Sequence, residues 1–553
     1  MEEAPELILL PEMIEQLSRP EAYAHTVETV EVMQTHISVV FLAGDFVYKV
    51  KKPVDFGFLD FTTLDRREHF CREEVRLNRR LAPDVYLGVS PIVSVDGALR
   101  VAELDVEGPG ESPVAGDVPV GEAVEWAVRM VRLDDERRMA NWVEDGTLRP
   151  YHVAVVARRL AAFHAAADGG EAISRWGRFE TVAGNARENL EQASPHIGHT
   201  ITAELHERLS VALERELAGF ESLIERRAAA GVPRDTHGDL HLDHIYLFDD
   251  RDPPADIVIV DCIEFNERFR HADPVADIAF LDMDLRFHGR RDLARTLVES
   301  YFEASGDAEG RALLRFYSAY RAAVRAKVVG MRALEPEVPD ASRAEATAEA
   351  EAHWLLALEL LEPPGRRPCL VLVGGLPGTG KSTLSNALAE TGEFRVVASD
   401  RIRKSLAGLD AQTSAAAAYG EGLYTPEWNE RTYAALLQQA EDGLLRGERL
   451  IVDASFREEN RRVELLSIAR RLRVPAVFLL LEAPEARIRD RLDTRPRGPS
   501  DADQLTYEAI RDRWEPPSRD TEHVTRVVHT GQTIAWSLEQ ALDHLEEIFV
   551  YRV

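Results

Sequence analysis

The segment Cys369-Leu-Val-Leu-Val-Gly374 runs straight into Gly375-Leu-Pro-Gly-Thr-Gly-Lys-Ser382, and no other junction limits the fold of this chain as strongly. A strand without polar alternation is buried on both faces, which requires a sheet covered by helices on each side. The glycines that follow free the backbone for a tight loop, and Lys381 and Ser382 open a helical pattern. Strand-like segments recur at 394–398, 449–453 and 476–481, with helical stretches between them. That alternation predicts a doubly wound α/β domain built on a parallel sheet.

Gly375-x4-Gly380-Lys381-Ser382 has the residue types a phosphate cradle needs, in the right place between strand and helix. Successive backbone N–H groups converge on an anion, and the helix N-terminus adds partial positive charge. Lys381 is expected to reach the β- and γ-phosphates of a nucleotide, and Ser382 to ligate Mg²⁺. Gly375, Leu376, Pro377, Gly378, Thr379, Gly380 and Thr383 complete the expected ATP-binding loop.

The chain has 553 residues, too many for one hydrophobic core. Residues 1–110 are expected to form a sheet-containing lobe and 111–361 a helical lobe. Residues 362–368, Glu-Pro-Pro-Gly-Arg-Arg-Pro, read as a linker, and 369–553 as the parallel-sheet domain. No apolar run is long enough to span a membrane, the start is acidic, and the three cysteines form no metal-type pair. A reducing cytoplasm is therefore the expected location. A formal net charge of −30 opposes general nucleic-acid binding, so an oligonucleotide end is a disfavoured partner.

Of 66 basic residues only six are lysine. Lys49, Lys51 and Lys52 cluster in one segment, Lys381 sits in the glycine-rich loop, and Lys404 follows Asp400. Lysine is a compact point charge suited to a phosphate oxygen, whereas arginine is a wider fork. Its retention at these positions marks them as places where an ammonium is needed. Residues 36–52 alternate around an Ala-Gly-Asp turn and predict a hairpin, which puts Lys49 and Lys51 on one strand face.

A second motif lies upstream: His237-Gly-Asp-Leu-His-Leu-Asp-His244, then Val-Asp261-Cys-Ile-Glu264 after a predicted strand pair. It resembles the catalytic loop of aminoglycoside phosphotransferase-like kinases, which share the protein-kinase plan. The resemblance covers about 28–340 and implies a bilobal fold. It implies Asp239 as the group that orients or deprotonates an acceptor hydroxyl and Asp261 as a metal ligand, with Glu264 nearby. It also implies a phosphate lysine on a strand, Lys49 or alternatively Lys51. The helical carboxylate partner is Glu74, with Glu73 next. One position departs from the pattern: His244 stands where the family has a metal-binding asparagine. Imidazole prefers softer metals than an amide oxygen does. A working site then needs Asp243 to shift or Mn²⁺ to replace Mg²⁺, and otherwise the half is a regulatory or docking module. His237, His241 and His244 invite a zinc reading, which the kinase register of Asp239 disfavours.

Ser399-Asp400-Arg-Ile-Arg403-Lys404, after the second predicted strand of the last domain, resembles P-loop kinases of the AAA_33, zeta-toxin and polynucleotide-kinase-like group. The resemblance covers about 366–545. It implies Asp400 as general base and Arg403 as substrate clamp, although Asp400 also suits a helix N-cap. Asp453 in Ile-Val-Asp-Ala-Ser-Phe456 resembles a second metal-site aspartate. Arg487, Arg491 and Arg495 fall at i, i+4 and i+8, and Arg491 and Arg495 are the expected lid arginines.

The expected whole is an N-terminal bilobal protein-kinase-like fold (α+β) followed by a doubly wound P-loop kinase domain (α/β). Its expected chemistry is γ-phosphoryl transfer from ATP to a hydroxyl of a small molecule or nucleotide-type acceptor. Two alternatives stand beside it. One has catalysis confined to the C-terminal half, and the other an ATP-switched binding protein.

Overall fold

The computed structural model describes residues 10–57, 59–103, 123–336, 338–410, 421–494 and 504–548. The chain divides into two compact units. The first comprises Met1–Val182 with Glu221–Leu314, and the second Ala183–Phe220 with Arg315–Val553.

The first unit holds an antiparallel sheet of β1 (Val30–Gln34), β2 (Ser38–Ala43), β3 (Phe46–Lys51), β4 (Tyr86–Val95), β5 (Ala98–Val101) and β6 (Ala123–Val131), in the order β1-β2-β3-β6-β4-β5. The expected hairpin is β2–β3. Tyr48 and Val50 point from β3 into a core with Val39, Phe41, Leu17 and Ile92. Strand alternation therefore sends Lys49 and Lys51 to the opposite face. That face is covered by the Leu64–Asn78 helix, capped by Thr63, whose hydroxyl accepts the Arg66 N–H. Cys71 and Val75 of this helix pack with Tyr86, Val89 and Val128, and on its buried side lies Glu74.

A helical lobe follows, with two short ribbons that position the loops between them. β7 (Arg234–Asp235) pairs with β10 (His271–Ala272), and β8 (Ile245–Leu247) with β9 (Ile257–Ile259). The His237–His244 segment lies between β7 and β8, and Asp261 comes directly after β9. Beneath them runs the Val275–Phe287 helix, buried along nearly its whole length.

In the second unit β11 (Cys369–Gly374), β12 (Arg395–Ala398), β13 (Arg449–Asp453), β14 (Ala476–Glu482) and β15 (Thr525–His529) form an all-parallel sheet, ordered β12-β13-β11-β14-β15. Every residue of the central strand β11 is buried, as its uninterrupted apolar run requires. β15 escapes the sequence reading because it is an edge strand in which only Val528 is buried. The segment that composition marks as a linker begins at a pinned residue. Glu362 is buried and paired with Arg208 at 3.3 Å and Arg215 at 3.5 Å, while Arg215 also donates to the Leu361 carbonyl at 2.6 Å. No helix among the described residues is long and apolar enough to cross a membrane.

Candidate active sites

In the second unit the loop after β11 reaches its shape through glycines in the left-handed region. Gly375 has φ +139°, and a Cβ there would lie 2.6 Å from the Leu481 carbonyl oxygen. Any side chain at 375 therefore pushes the loop off β14. Lys381 donates from Nζ to the Gly375 and Leu376 carbonyls at 3.0 and 3.1 Å, so the ammonium is held within the loop. Thr379 closes the turn by donating to Leu376 O at 2.8 Å.

A cavity of about 490 Å³ opens in front of this loop. Gly378, Gly380, Lys381 and Ser382 of the loop line it together with Asp400, Arg403, Tyr424, Asn429 and Asp453. Asp453 is buried at the C-terminal end of β13. Burial pushes its carboxyl up, opposed by the Lys381 charge and by a hydrogen bond with Ser382. A hydroxyl and a carboxylate adjoining in this way are oxygen ligands of the kind Mg²⁺ takes. Asp400 sits inside the first turn of the Ser399–Leu406 helix, whose N-cap is Ala398. The capping explanation of Asp400 therefore fails. Arg403 Nη1 donates to Asp400 Oδ1 at 3.1 Å and Nη2 to Asn429 Oδ1 at 2.9 Å, and the guanidinium lies 4.8 Å from the Tyr424 ring centre. Arg491 lines the same cavity and bridges the Gly378 carbonyl (3.2 Å) and the Thr530 carbonyl (2.5 Å). Arg487 is exposed and donates to Gly531 O at 3.4 Å. Arg495 lies outside the described residues.

In the first unit, residues separated by more than 200 positions meet around two ammonium groups. Lys49 Nζ lies 2.9 Å from Glu74 Oε1, an ion pair without hydrogen-bond geometry, and donates to Asp261 Oδ1 at 2.6 Å. Lys51 Nζ donates to Glu74 Oε2 at 2.7 Å and to Glu264 Oε1. One carboxylate thus bridges both lysines. Their surroundings differ. The Lys51 side chain is fully buried and sits 5.0 Å from the Phe61 ring centre, whereas Lys49 is 14% exposed beside an Asp261 side chain that is 44% exposed. Lys49 is the more exposed of the two lysines, and Glu73 pairs instead with Arg76. Burial resists ionisation of Asp261, but Lys49 outweighs it and holds the carboxyl well below its usual range. Asp261 adopts φ +66°, a left-handed conformation that aspartate tolerates better than most residues.

Asp239 and His244 lie beside this group. His244 Nδ1 donates to the Asp239 carbonyl at 2.8 Å, and its Nε2 lies 3.5 Å from Asp261 Oδ2. Gly238 is needed at φ +87°, since a Cβ would approach the Phe269 carbonyl to 3.0 Å. Two residues that hold this loop escaped the sequence reading. Asp277 accepts the backbone N–H groups of His237 (2.8 Å) and Gly238 (2.9 Å) and pairs with His164 Nε2 at 3.2 Å. Asp284, seven residues further along the same helix, accepts the Leu242 N–H at 2.9 Å. The signal was present in Asp-Pro-Val-Ala-Asp277, but nothing local shows that the carboxylate faces a loop forty residues away.

Asp277 gives a pH prediction. Burial raises its pKa, and the hydrogen bonds from His164 and the loop more than reverse that, lowering it to about 2 from 3.8. A folded-state value below the unfolded one means stability present above about pH 4 and lost as pH falls through about 2, worth about 2 kcal/mol. Acid unfolding of Asp277→Asn is expected to show a flatter pH dependence between 4 and 2 than the native chain. Identical slopes would remove Asp277 from the account.

A parallel sheet whose central strand feeds this loop and cavity defines a P-loop kinase domain, and residues 370–517 match the AAA_33 family, an AAA domain. The whole chain belongs to the family of a mycobacterial protein. It is 33% identical over 477 residues to the "Uncharacterized protein Rv2004c" of Mycobacterium tuberculosis, spanning 86% of this chain and 88% of that one. The "Uncharacterized protein Mb2027c" of Mycobacterium bovis matches to the same extent. Among solved structures, a gluconokinase from Sinorhizobium meliloti 1021 is similar, with 20% identity, 33% of this chain and 94% of that one covered, and a TM-score of 0.25. A choline/ethanolamine kinase family protein from Mesorhizobium loti is similar over 63% of this chain and 97% of its own, with 14% identity and a TM-score of 0.34.

Proposed function

We propose that this protein is an ATP-dependent phosphotransferase whose C-terminal cleft moves a γ-phosphoryl group to a hydroxyl of a small polar or nucleotide-type acceptor. The observation that carries this reading is one cavity lined by Lys381, Ser382 and Asp453 together with the Asp400–Arg403 pair. A switch protein needs the first set only. In the reaction the acceptor oxygen bonds to phosphorus, the bond to the ADP oxygen breaks, and Asp400 takes the hydroxyl proton. Lys381 offsets charge on the phosphates, and Arg403 orients the acceptor while its own position is fixed by Asn429. Arg491 neutralises charge from the loop side. Mg²⁺, held by Ser382 and Asp453, would supply further charge neutralisation there.

A second ATP site in the first unit is supported by Lys49, which joins buried Glu74 to a solvent-reaching Asp261. Calorimetric titration of Mg·ATP tests both halves at once. The native chain is expected to bind two equivalents and Lys381→Ala one. One equivalent falling to none would confine nucleotide to the C-terminal cleft and make the first unit a regulatory module. Unchanged stoichiometry in Lys381→Ala would sink the C-terminal assignment.

A further inference from the structure

His244 departs from the family pattern, and the structure shows what its ring is positioned to do. Its Nδ1 must carry the proton, because it lies 2.8 Å from the Asp239 carbonyl, an acceptor. That fixes the tautomer and leaves Nε2 with its lone pair facing Asp261 Oδ2 at 3.5 Å. Asp261 divides its two oxygens, with Oδ1 taken by Lys49 and Oδ2 on the imidazole side.

His241 joins the group. Its ring centre lies 3.9 Å from that of His244, and its Nε2 is 3.6 Å from Asp239 Oδ2. One ligand atom from each of Asp239, His241 and His244 falls within 4.8 Å of the other two. His237 takes no part. Its Nε2 donates to the Val260 carbonyl at 2.9 Å, and its Nδ1 accepts the Asp239 N–H at 3.3 Å. The cluster is therefore Asp239 with His241 and His244, and the disfavoured grouping of three histidines is not what the fold brings together.

We propose that Asp239, His241 and His244, with Asp261 beside them, form a binding site for a borderline divalent transition metal of the Mn²⁺, Co²⁺ or Zn²⁺ class, in preference to Mg²⁺. Two imidazole nitrogens with carboxylate oxygens are the donor set such ions select, whereas Mg²⁺ favours oxygen alone. The imidazoles are 8% and 14% exposed, and the Asp239 and Asp261 side chains 37% and 44%, so the nitrogens lie beneath carboxylates that solvent reaches. A backbone carbonyl orienting a ligand histidine is the arrangement that fixes ring direction at metal sites. The inference does not rest on nucleotide turnover at this site.

The test is a Co²⁺ titration of the full-length protein without nucleotide, read by visible absorption. One equivalent with the spectrum of nitrogen-ligated cobalt is expected. It should weaken about tenfold or more in both His244→Asn and His241→Gln, and persist in Asp453→Asn. A hundredfold excess of Mg²⁺ should leave the spectrum in place. Uptake unaffected by both histidine changes, or displacement by equimolar Mg²⁺, would overturn the proposal. Should either variant misfold, pulsed EPR of Mn²⁺ bound to the native protein decides: nitrogen couplings from imidazole support the site, and their absence rejects it.

Discussion

Asp400→Asn is expected to lower acceptor-stimulated ADP release about 100- to 10,000-fold, the span that general acid–base catalysis supplies, while leaving ATP affinity unchanged. The substitution is nearly isosteric, and the retained amide oxygen still accepts from Arg403 Nη1, which lies 3.1 Å from Oδ1 in the native chain. What disappears is the capacity to take a proton. Arg403→Lys provides the contrast. It keeps a positive charge but loses the fork that joins Asp400 to Asn429 at 2.9 Å, so acceptor KM should rise more than kcat falls. Steady-state kinetics over a panel of sugars, sugar acids and nucleosides, with ATP binding followed separately by calorimetry, separates the two effects. An Asp400→Asn protein that still turns over stimulated ATP at the native rate would remove the base from the mechanism.

Lys51→Met is expected to destabilise the first unit by about 3–5 kcal/mol, as removal of one partner from a buried ion pair does. Methionine approximates the volume, so the loss is electrostatic. Glu74 and Glu264 would remain buried with Lys49 as their nearest cation, and Lys49 is already shared with Asp261. Domains of this size lose roughly 2–4 °C in Tm per kcal/mol, so the transition of this unit should fall by on the order of 10 °C. Lys49→Met should behave differently. Its side chain is part-exposed and its partner Asp261 reaches solvent, so the stability cost is smaller, and the main loss is nucleotide affinity at the proposed N-terminal site. Scanning calorimetry and ATP titration on the two variants give a crossed pattern if these roles are right. The reverse pattern, with Lys51→Met stable and unable to bind, would exchange the two lysines.

This contrast shows where the sequence reading stops. Strand alternation placed Lys49 and Lys51 on one face, because period two is a local property, whereas Glu74 as their helical partner came from the family resemblance. Which lysine meets solvent depends on Phe61 and Glu264, and Glu264 comes from a loop 213 residues away. No pattern within either strand or helix encodes that. His244 is similar. Its departure from the family pattern was visible as a residue type, but the direction of its lone pair follows from a hydrogen bond to a backbone carbonyl and from the left-handed Asp261.

The C-terminal loop lies at the other extreme. The run of apolar residues in β11, the glycines at 375, 378 and 380 and the lysine and serine that follow specify a strand, a loop and a helix within fourteen positions, each by a short-range preference. Burial on both faces dictates the apolar run, positive φ dictates the glycines, and the converging N–H groups dictate what the loop attracts. The partners of that loop were another matter. Arg491 is one of several arginines on a helix rich in them, and its contact with the Gly378 and Thr530 carbonyls exists because β14 and β15 bring those elements together. Asp277 and Glu362 read as ordinary acidic residues among 96, and they act as anchors because distant chain segments bury them beside N–H groups or guanidinium ions. Residue type and spacing carry whatever physics spans a few residues. Choice among chemically equal side chains falls to burial, which the chain acquires only on folding.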